Sequence, residues 1–231
     1  MTEFRFAFRQ SLPVLITYSC IGLAFGMLMA NAGYSPLAAF CSSVFIYAGA
    51  MQILLVSLLV DHLPLYLMAA MTFFINARHM FYGIAFLNIF RSMGWRYPYM
   101  VASMTDEVYS IFCGITVPEG LDRSQVRFYI ALLCHSAWSI AGLIGAWTGS
   151  ILSVDLAGID FAATSLFLTA AVNQWKQYTN HIPVYIGVGA SLLSLALIGS
   201  EHFLLPALCL ALGSLIFLRE KVSVQGDAFH E

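Results

Sequence analysis

The chain alternates between long apolar stretches and short polar segments. Since a helix needs about 20 apolar residues to cross a bilayer, this pattern predicts an all-α polytopic membrane protein with about seven to eight membrane segments, some of them broken or short. The predicted segments are, in chain order, Leu12–Ala32, Pro36–Val60, Leu63–Phe90, Pro98–Val117, Val126–Leu152, Phe161–Val172, Ile182–Ile198 and Phe203–Leu218. We expect a single transmembrane domain over residues 1–218 and a polar, disordered tail over residues 219–231.

Two of these segments depart from an ordinary crossing. Leu63–Phe90 is too long and is interrupted by the polar stretch 76–79. It is therefore either one long tilted helix or two half-helices that meet at the polar break. Phe161–Val172 is short for a full crossing. Short or interrupted segments often line the substrate site of a transporter.

Arginine positions predict part of the orientation. Arg5 and Arg9 precede the first segment, which favours a cytoplasmic amino terminus because positive charge is enriched in cytoplasmic loops. Arg91 and Arg96 predict a second cytoplasmic loop. The two assignments agree if Leu63–Phe90 enters and leaves on one side, or if an earlier segment is re-entrant.

A short internal similarity indicates a two-fold repeat. The stretch Ser19-Cys20-Ile21-Gly22-Leu23 resembles Ser139-Ile140-Ala141-Gly142-Leu143, at an offset of 139 − 19 = 120 residues. A chance match among small and apolar residues is the alternative. A true repeat is typical of transporters, which bind substrate between their halves near the middle of the membrane.

Composition excludes several classes of protein. Charged residues make up 10% of the chain, against roughly 25% in soluble domains, so the lipid bilayer must be the main solvent. A net charge of −2 argues against a nucleic-acid partner. The five cysteines lie inside apolar stretches without metal-ligand spacing. No enzyme, ATPase or cofactor motif occurs, so we predict no enzyme activity, no metal and no cofactor.

Two polar clusters lie within apolar segments, where an ionisable group is costly and often functional. The first is Asn76-Ala77-Arg78-His79. Arg78 stays charged at any realistic pH and matches a carboxylate with its planar fork, unless it lies at the interface and extends to water. His79 is either a structural residue or a group that couples transport to protons.

The second cluster is Thr105-Asp106-Glu107. Adjacent carboxylates point about 100° apart on a helix, so one can face a cavity while the other pairs with Arg78 or caps a half-helix. One carboxylate either forms a structural ion pair with Arg78, or serves as an anionic site that holds a substrate ammonium or exchanges a proton.

A third stretch, Tyr47-Ala48-Gly49-Ala50-Met51-Gln52, lies in the middle of the second predicted segment. Gly49 between two alanines permits close helix packing. It also permits a helix break whose freed backbone groups face a substrate, which is tolerated in protein interiors and cavities. Gln52 would add an amide donor and acceptor to such a site.

Together these motifs resemble the AzlC/YgaZ family of bacterial branched-chain amino acid exporters. The resemblance covers nearly the whole chain and departs only modestly, since the family often has Leu-Asp-Phe at positions 159–161. The matching motifs are Phe8-Arg9-Gln10-Ser11-Leu12-Pro13, Tyr47-Ala48-Gly49-Ala50-Met51-Gln52, Asn76-Ala77-Arg78-His79 with Tyr82-Gly83, Thr105-Asp106-Glu107, and Gly158-Ile159-Asp160-Phe161.

The resemblance implies a multi-pass permease of the bacterial cytoplasmic (inner) membrane. It implies export of valine, leucine, isoleucine and methionine, together with a small membrane partner of the AzlD/YgaH type. Two other hypotheses are a transporter or channel for a different solute, and a membrane subunit without transport of its own.

A zwitterion with an apolar side chain needs a carboxylate holder, an ammonium holder and an apolar pocket. We therefore predict substrate contacts from the three clusters, with two further residues that serve in coupling or ion pairing. The predicted substrate-binding residues are Tyr47, Gly49, Gln52, Asn76, Arg78 and Asp106, and the coupling or ion-pairing residues are His79 and Glu107.

Overall fold

A computed structural model of the chain describes residues 2–151, 180–199 and 203–218, together with positions 168, 171, 172 and 175. These residues contain helices and no strand, which confirms the predicted all-α fold for the described part of the chain. The chain divides into two compact units. The first comprises Met1–Met68 and Ile75–Leu166, and the second comprises Ala69–Phe74 and Phe167–Glu231.

Two long helices form the centre of the first unit, α1 (Glu3–Asn31) and α8 (Arg123–Ile151). Both are long and apolar enough to cross a membrane. Their first residues are 123 − 3 = 120 positions apart. This is the offset of the sequence similarity, and it supports the predicted repeat.

Glycines allow α1 and α8 to approach closely. A β-carbon added at Gly22 would lie 2.8 Å from Ala141 Cβ, and one added at Gly149 would lie 3.1 Å from Met27 Cα. Because the contact positions advance together along both helices, α1 and α8 run in the same direction. Close backbone approach at small residues is a common way for helices to associate in a membrane.

The second predicted segment consists of two helices, α2 (Pro36–Phe45) and α3 (Gly49–Val60). Ser35 starts α2, because its Oγ accepts a hydrogen bond from the Ala38 amide at 3.3 Å. The helical path ends before Tyr47, whose φ of 42° lies in the left-handed region that non-glycine residues rarely adopt. The predicted helix break is therefore observed, Gly49 also packs closely on Trp138, and the predicted contact of the break with a substrate stays a prediction.

The third predicted segment is one helix, α4 (Leu65–Ala85), followed by the short helix α5 (Leu87–Arg91). The polar stretch 76–79 does not interrupt α4. A helix satisfies its backbone amides and carbonyls internally whatever its side chains, so polar residues alone do not break it.

The prediction of a single crossing over Pro98–Val117 is wrong. A 3₁₀ turn at residues 94–96 leads into two short helices, α6 (Tyr97–Ala102) and α7 (Asp106–Gly114). Thr105 starts α7, because its Oγ1 accepts a hydrogen bond from the Val108 amide at 3.3 Å. At 1.5 Å per residue these helices are about 9 Å and 14 Å long, too short for either to cross a bilayer.

Helices α6 and α7 form a hairpin that begins and ends near the start of α8. Before α6, the Arg96 guanidinium carbon lies 4.7 Å from the centre of the Phe128 ring. At the tip, Thr105 reaches Tyr18, about halfway along α1. After α7, a short loop leads to Arg123, the first residue of α8. We call this element the α6–α7 hairpin.

Helix α4 runs beside α7 in the same direction. His79 Nε2 lies 3.9 Å from Asp106 Oδ1, and the rings of Tyr82 and Tyr109 are 4.6 Å apart. Since α7 leads from its hairpin tip toward the start of α8, α4 begins toward the opposite end of the α1–α8 pair.

Helices α2 and α3 form a second hairpin that enters from that opposite end. Helix α2 is antiparallel to α8. A β-carbon at Gly142 would lie 2.8 Å from Ser43 Oγ, whereas the later Tyr47 ring lies 4.3 Å from the ring of the earlier His135. Helix α3 must return to the end where α4 begins. The α2–α3 hairpin and the α6–α7 hairpin therefore enter from opposite ends.

Arginine side chains gather at the end where α1 and α8 begin. They are Arg5, Arg9, Arg91, Arg96, Arg123 and Arg127. The two predicted cytoplasmic anchors thus lie on one side. Of the two arrangements that reconcile them, the fold supports the earlier re-entrant segment, which is the α2–α3 hairpin.

In the second unit, α9 (Ile182–Ile198) packs against α10 (Leu204–Phe217). These helices coincide with the last two predicted segments. The predicted segment Phe161–Val172, apart from positions 168, 171 and 172, and the predicted tail over residues 219–231 lie outside the described residues. The number of membrane segments and the single domain over residues 1–218 therefore stay predictions.

Candidate functional site

The tip of the α6–α7 hairpin is fixed to the middle of α1 by Tyr18. The Tyr18 hydroxyl donates to Glu107 Oε2 at 2.7 Å and lies 2.7 Å from Thr105 Oγ1. Because the Tyr18 hydroxyl has one hydrogen, the Thr105 hydroxyl is the donor in the second bond. Tyr18 and Thr105 are buried, so the bond between their hydroxyls forms away from solvent, where hydrogen bonds are strong, whereas Glu107 is half-buried.

The break in the α2–α3 hairpin is held by Gln52, which is fully buried. Its Oε1 accepts hydrogen bonds from the Ala48 amide at 3.1 Å and from Trp138 Nε1 at 3.0 Å. Its Nε2 donates to Ser42 Oγ at 3.4 Å. The side chain therefore satisfies a backbone donor that the break leaves outside the helix, and it joins the hairpin to α8.

His135 of α8 lies beside the same tip. Its Nε2 is 3.2 Å from the Val44 carbonyl oxygen, and its Nδ1 is 3.2 Å from the Tyr99 hydroxyl. Since a carbonyl oxygen only accepts, Nε2 carries a hydrogen, and in a neutral ring Nδ1 accepts from Tyr99. His135 thus connects the end of α2 with α6.

Both hairpin tips contact the side chain of Tyr18. The ring of Tyr18 lies 6.4 Å from Tyr47 and 5.4 Å from Trp138, edge-on in each case. The α2–α3 tip and the α6–α7 tip therefore lie on either side of a single tyrosine. This position is about 22 Å from the start of α1, near the middle of the helix.

Asp106 and Glu107 lie in the first turn of α7, where the helix dipole favours negative charge. The cap of this helix is Thr105 rather than one of the predicted carboxylates, and the predicted pairing of a carboxylate with Arg78 stays a prediction. His79 Nε2 lies 3.9 Å from Asp106 Oδ1. Asp106 and His79 are both partly exposed, with 32% and 24% of their side-chain surfaces accessible.

The remaining predicted residues are distributed between α3 and α4. Gly49 is the first residue of α3, and a β-carbon there would lie 3.1 Å from the Trp138 ring. Asn76 is half-buried on α4. Arg78 also lies on α4, but its side chain is outside the described part of the structure, so the predicted pairing of Arg78 with a carboxylate stays a prediction.

Sequence reasoning missed Tyr18 and Trp138. Aromatic residues inside apolar helices are ordinary, and neither residue belongs to a polar cluster. A usable signal lay in the repeat, because each copy has an aromatic residue directly before its serine, Tyr18 before Ser19 and Trp138 before Ser139.

Two helix breaks lie against the α1–α8 pair near its mid-length, where the start of α7 carries a carboxylate beside the imidazole of His79. Backbone breaks of this kind occur in membranes where they are buried in protein or line a cavity. The fold and the helix breaks are thus typical of helical membrane proteins of the transporter class, which use discontinuous helices.

Comparison with known proteins identifies the family. The model of the AzlC protein family matches residues 13–152, and the chain belongs to this family. A branched-chain amino acid transport protein, AzlC of Bacillus subtilis strain 168, is 33% identical over 94% of this chain and 85% of its own length. AzlC proteins form a membrane transport family, which confirms the prediction that the chain is not an enzyme.

Other relatives cover a similar share of the chain. A protein of Helicobacter pylori strain J99, named an uncharacterized membrane protein, is 34% identical over 96% of this chain and 97% of its own length. The inner membrane protein YgaZ of Escherichia coli K12 is 28% identical over 88% and 83%. No solved structure matches the chain. The chain is thus a membrane protein, and one of its relatives is named for branched-chain amino acid transport.

Proposed function

We propose that this chain exports valine, leucine, isoleucine and methionine across the bacterial cytoplasmic membrane. The observation that carries the proposal is the 33% identity, over nearly the whole chain, to a protein named for branched-chain amino acid transport. The name of the Escherichia coli relative supports the inner membrane as the location. The family resemblance of the sequence motifs is the ground for the outward direction and for a small AzlD/YgaH-like membrane partner.

In the proposed topology, the arginine-rich end of the first unit faces the cytoplasm, as the positive-inside rule requires. The α6–α7 hairpin then enters from the cytoplasm and the α2–α3 hairpin from the opposite side. Each tip reaches Tyr18 near the bilayer centre. The substrate would lie between the tips, with about seven to eight membrane segments in the whole chain.

The start of α3 is the proposed carboxylate holder. The first hydrogen bond inside α3 runs from the Gln52 amide to the Ala48 carbonyl, so the amides of residues 49–51 come before the first hydrogen-bonded turn of the helix. Amides at a helix start attract anions. Arg78 and Asn76 of α4 supply a guanidinium and an amide suited to the same carboxylate.

Asp106 is the proposed ammonium holder, because it is a partly exposed carboxylate beside the α6–α7 tip. Tyr47 offers an aromatic wall at the facing tip. His79 and Glu107 complete the site as ion-pairing groups, His79 beside Asp106 and Glu107 bonded to Tyr18. The arrangement suits a zwitterion with an apolar side chain.

The test is amino acid efflux from cells preloaded with valine- or leucine-containing dipeptides. The chain is expressed alone and with an AzlD/YgaH-like partner, and its amount in the membrane is measured. We expect faster efflux of both amino acids when both proteins are present. Equal efflux with and without them, at normal membrane levels, would contradict the proposal.

Two carboxylate variants test the site. Asp106→Asn removes the charge at the α6–α7 tip, whereas Asp61→Asn removes an exposed charge at the end of α3. We expect Asp106→Asn to lose most efflux and Asp61→Asn to keep it, with both variants expressed normally. Normal efflux by Asp106→Asn would exclude Asp106 as the ammonium holder.

A further inference from the structure

Tyr18 and Trp138 occupy equivalent positions on the two long helices. Their separation is 138 − 18 = 120 residues, which equals the offset between the starts of α1 and α8. Both are buried, and their rings lie 5.4 Å apart, edge-on. Each carries one polar group on a large apolar body, so each can make one directed hydrogen bond inside an apolar environment.

The two side chains bind different hairpins. Tyr18 donates to Glu107, the second residue of α7, in the α6–α7 hairpin. Trp138 donates to Gln52, in the first turns of α3, in the α2–α3 hairpin. In both cases the acceptor lies beside a helix break, so the bond fixes the tip of the hairpin against the central helix pair.

We propose that Tyr18 and Trp138 are positioning residues that hold the two hairpins closed separately, each controlling access to the site from one side of the membrane. Release of the Tyr18 bonds frees the α6–α7 tip and opens the site to the cytoplasm. Release of the Trp138 bond frees the α2–α3 tip and opens the site to the opposite side.

Two features of the geometry support separate control. The hairpins enter from opposite ends, so movement of one tip leaves the other barrier in place. The hydrogen bonds of Tyr18 and Trp138 go to different hairpins, and Tyr18 approaches Tyr47 of the α2–α3 hairpin edge-on, with 6.4 Å between the ring centres. This inference rests on the proposed function, since it assigns side-specific access to the proposed transport site.

The test measures cysteine labelling at each tip. Single cysteines are introduced as Ser103→Cys at the α6–α7 tip and Ala48→Cys at the α2–α3 tip, both buried positions. The background lacks the native cysteines Cys20, Cys41, Cys113, Cys134 and Cys209. A membrane-impermeant thiol reagent is applied to inside-out vesicles and to intact cells. When opening is fast and reversible, the labelling rate follows the open population.

Tyr18→Phe keeps the ring and removes the hydroxyl. We expect it to raise labelling of Ser103→Cys from the cytoplasmic side about tenfold or more, because the lost bond ends on a carboxylate. Labelling of Ala48→Cys from the outside should stay unchanged. Trp138→Phe should do the reverse, raising labelling of Ala48→Cys about twofold to tenfold for a lost neutral bond.

Gln52→Met removes the Trp138 bond from the acceptor side together with the Ala48 and Ser42 bonds, so it should raise labelling of Ala48→Cys at least as much as Trp138→Phe and keeps the measurement interpretable if Trp138→Phe is poorly expressed. Equal increases at both tips, or no increase at either, would overturn the proposal, since a merely structural role would loosen both hairpins together. Labelling requires no substrate. Efflux on the same variants therefore distinguishes a failure of this inference from a failure of the proposed amino acid export.

Discussion

Replacement of Gly26 by alanine tests the contact between α1 and α8 directly. The added β-carbon would collide with the Gly142 carbonyl oxygen and would lie 2.5 Å from the Ala146 amide nitrogen and 2.8 Å from the Gly145 carbonyl carbon. Favourable contacts between heavy atoms lie at about 3.5–4.0 Å, so the helices must separate by roughly 1 Å near this point.

The size of the effect follows from that displacement. A gap of about 1 Å removes a quarter to a half of the dispersion energy of the facing atoms, and overpacking of a tight interior costs about 1–3 kcal/mol. For a chain of this length, 1 kcal/mol corresponds to about 2–4 °C in melting temperature. We therefore expect Gly26→Ala to melt roughly 2–12 °C below the unchanged protein.

The assay is thermal unfolding of the detergent-purified protein, followed by loss of the monodisperse peak in size-exclusion chromatography. Gly187→Ala is the matched control, because Gly187 lies inside α9 and a β-carbon there meets no atom within 4 Å. This control should be neutral or stabilised by up to about 1 kcal/mol, since alanine favours a helix over glycine. Equal melting temperatures for Gly26→Ala and Gly187→Ala would refute the tight α1–α8 contact.

Three further substitutions test the hairpin tips by the same thermal assay. Thr105→Ala should destabilise the protein by about 1 kcal/mol through loss of the α7 cap, whereas Thr105→Ser keeps the hydroxyl and should not; equal stability of the two would argue against the cap. Gln52→Leu leaves the buried Ala48 amide and Trp138 Nε1 without an acceptor, which should lower the free energy of unfolding by about 1–3 kcal/mol for each. Gln10→Leu, at an exposed position, should be nearly neutral, and similar effects of both variants would contradict the buried network. His135→Leu leaves the Val44 carbonyl without its hydrogen-bond donor and should lower the free energy of unfolding by about 1–3 kcal/mol. A melting temperature equal to that of the unchanged protein would contradict this prediction.

Local sequence patterns predicted the helices and the breaks because these depend on near neighbours. The start of α8 and both ends of α9 agree with the predicted segments within three residues, since each is a continuous apolar stretch. A break in the stretch Tyr47–Gln52 and a half-helix beginning at the Thr105-Asp106-Glu107 cluster were both among the alternatives that the sequence raised, although the predicted cap was a carboxylate and the observed cap is Thr105. A glycine between alanines and a threonine before two carboxylates are local signals.

Contacts between distant residues were not predictable in this way. Nothing in residues 97–114 indicates that the chain turns back, because that depends on where the α6–α7 tip docks. The apolar composition of the stretch suits a crossing equally well. The bonds from Tyr18 to Glu107 and from Trp138 to Gln52 join residues 89 and 86 positions apart. Only the fold brings such partners together.

The parallel α1–α8 pair has a consequence for how the protein is made. The starts of its helices are 120 residues apart in the chain, since 123 − 3 = 120. At about 5–20 residues per second, the ribosome begins α8 roughly 6–24 s after α1. During that interval the glycine face of α1 is in the lipid without its partner. Biogenesis of this protein therefore requires that the glycine face of α1 is protected until α8 has been synthesised. If translation stalls during this interval, that face stays accessible to helices of other proteins.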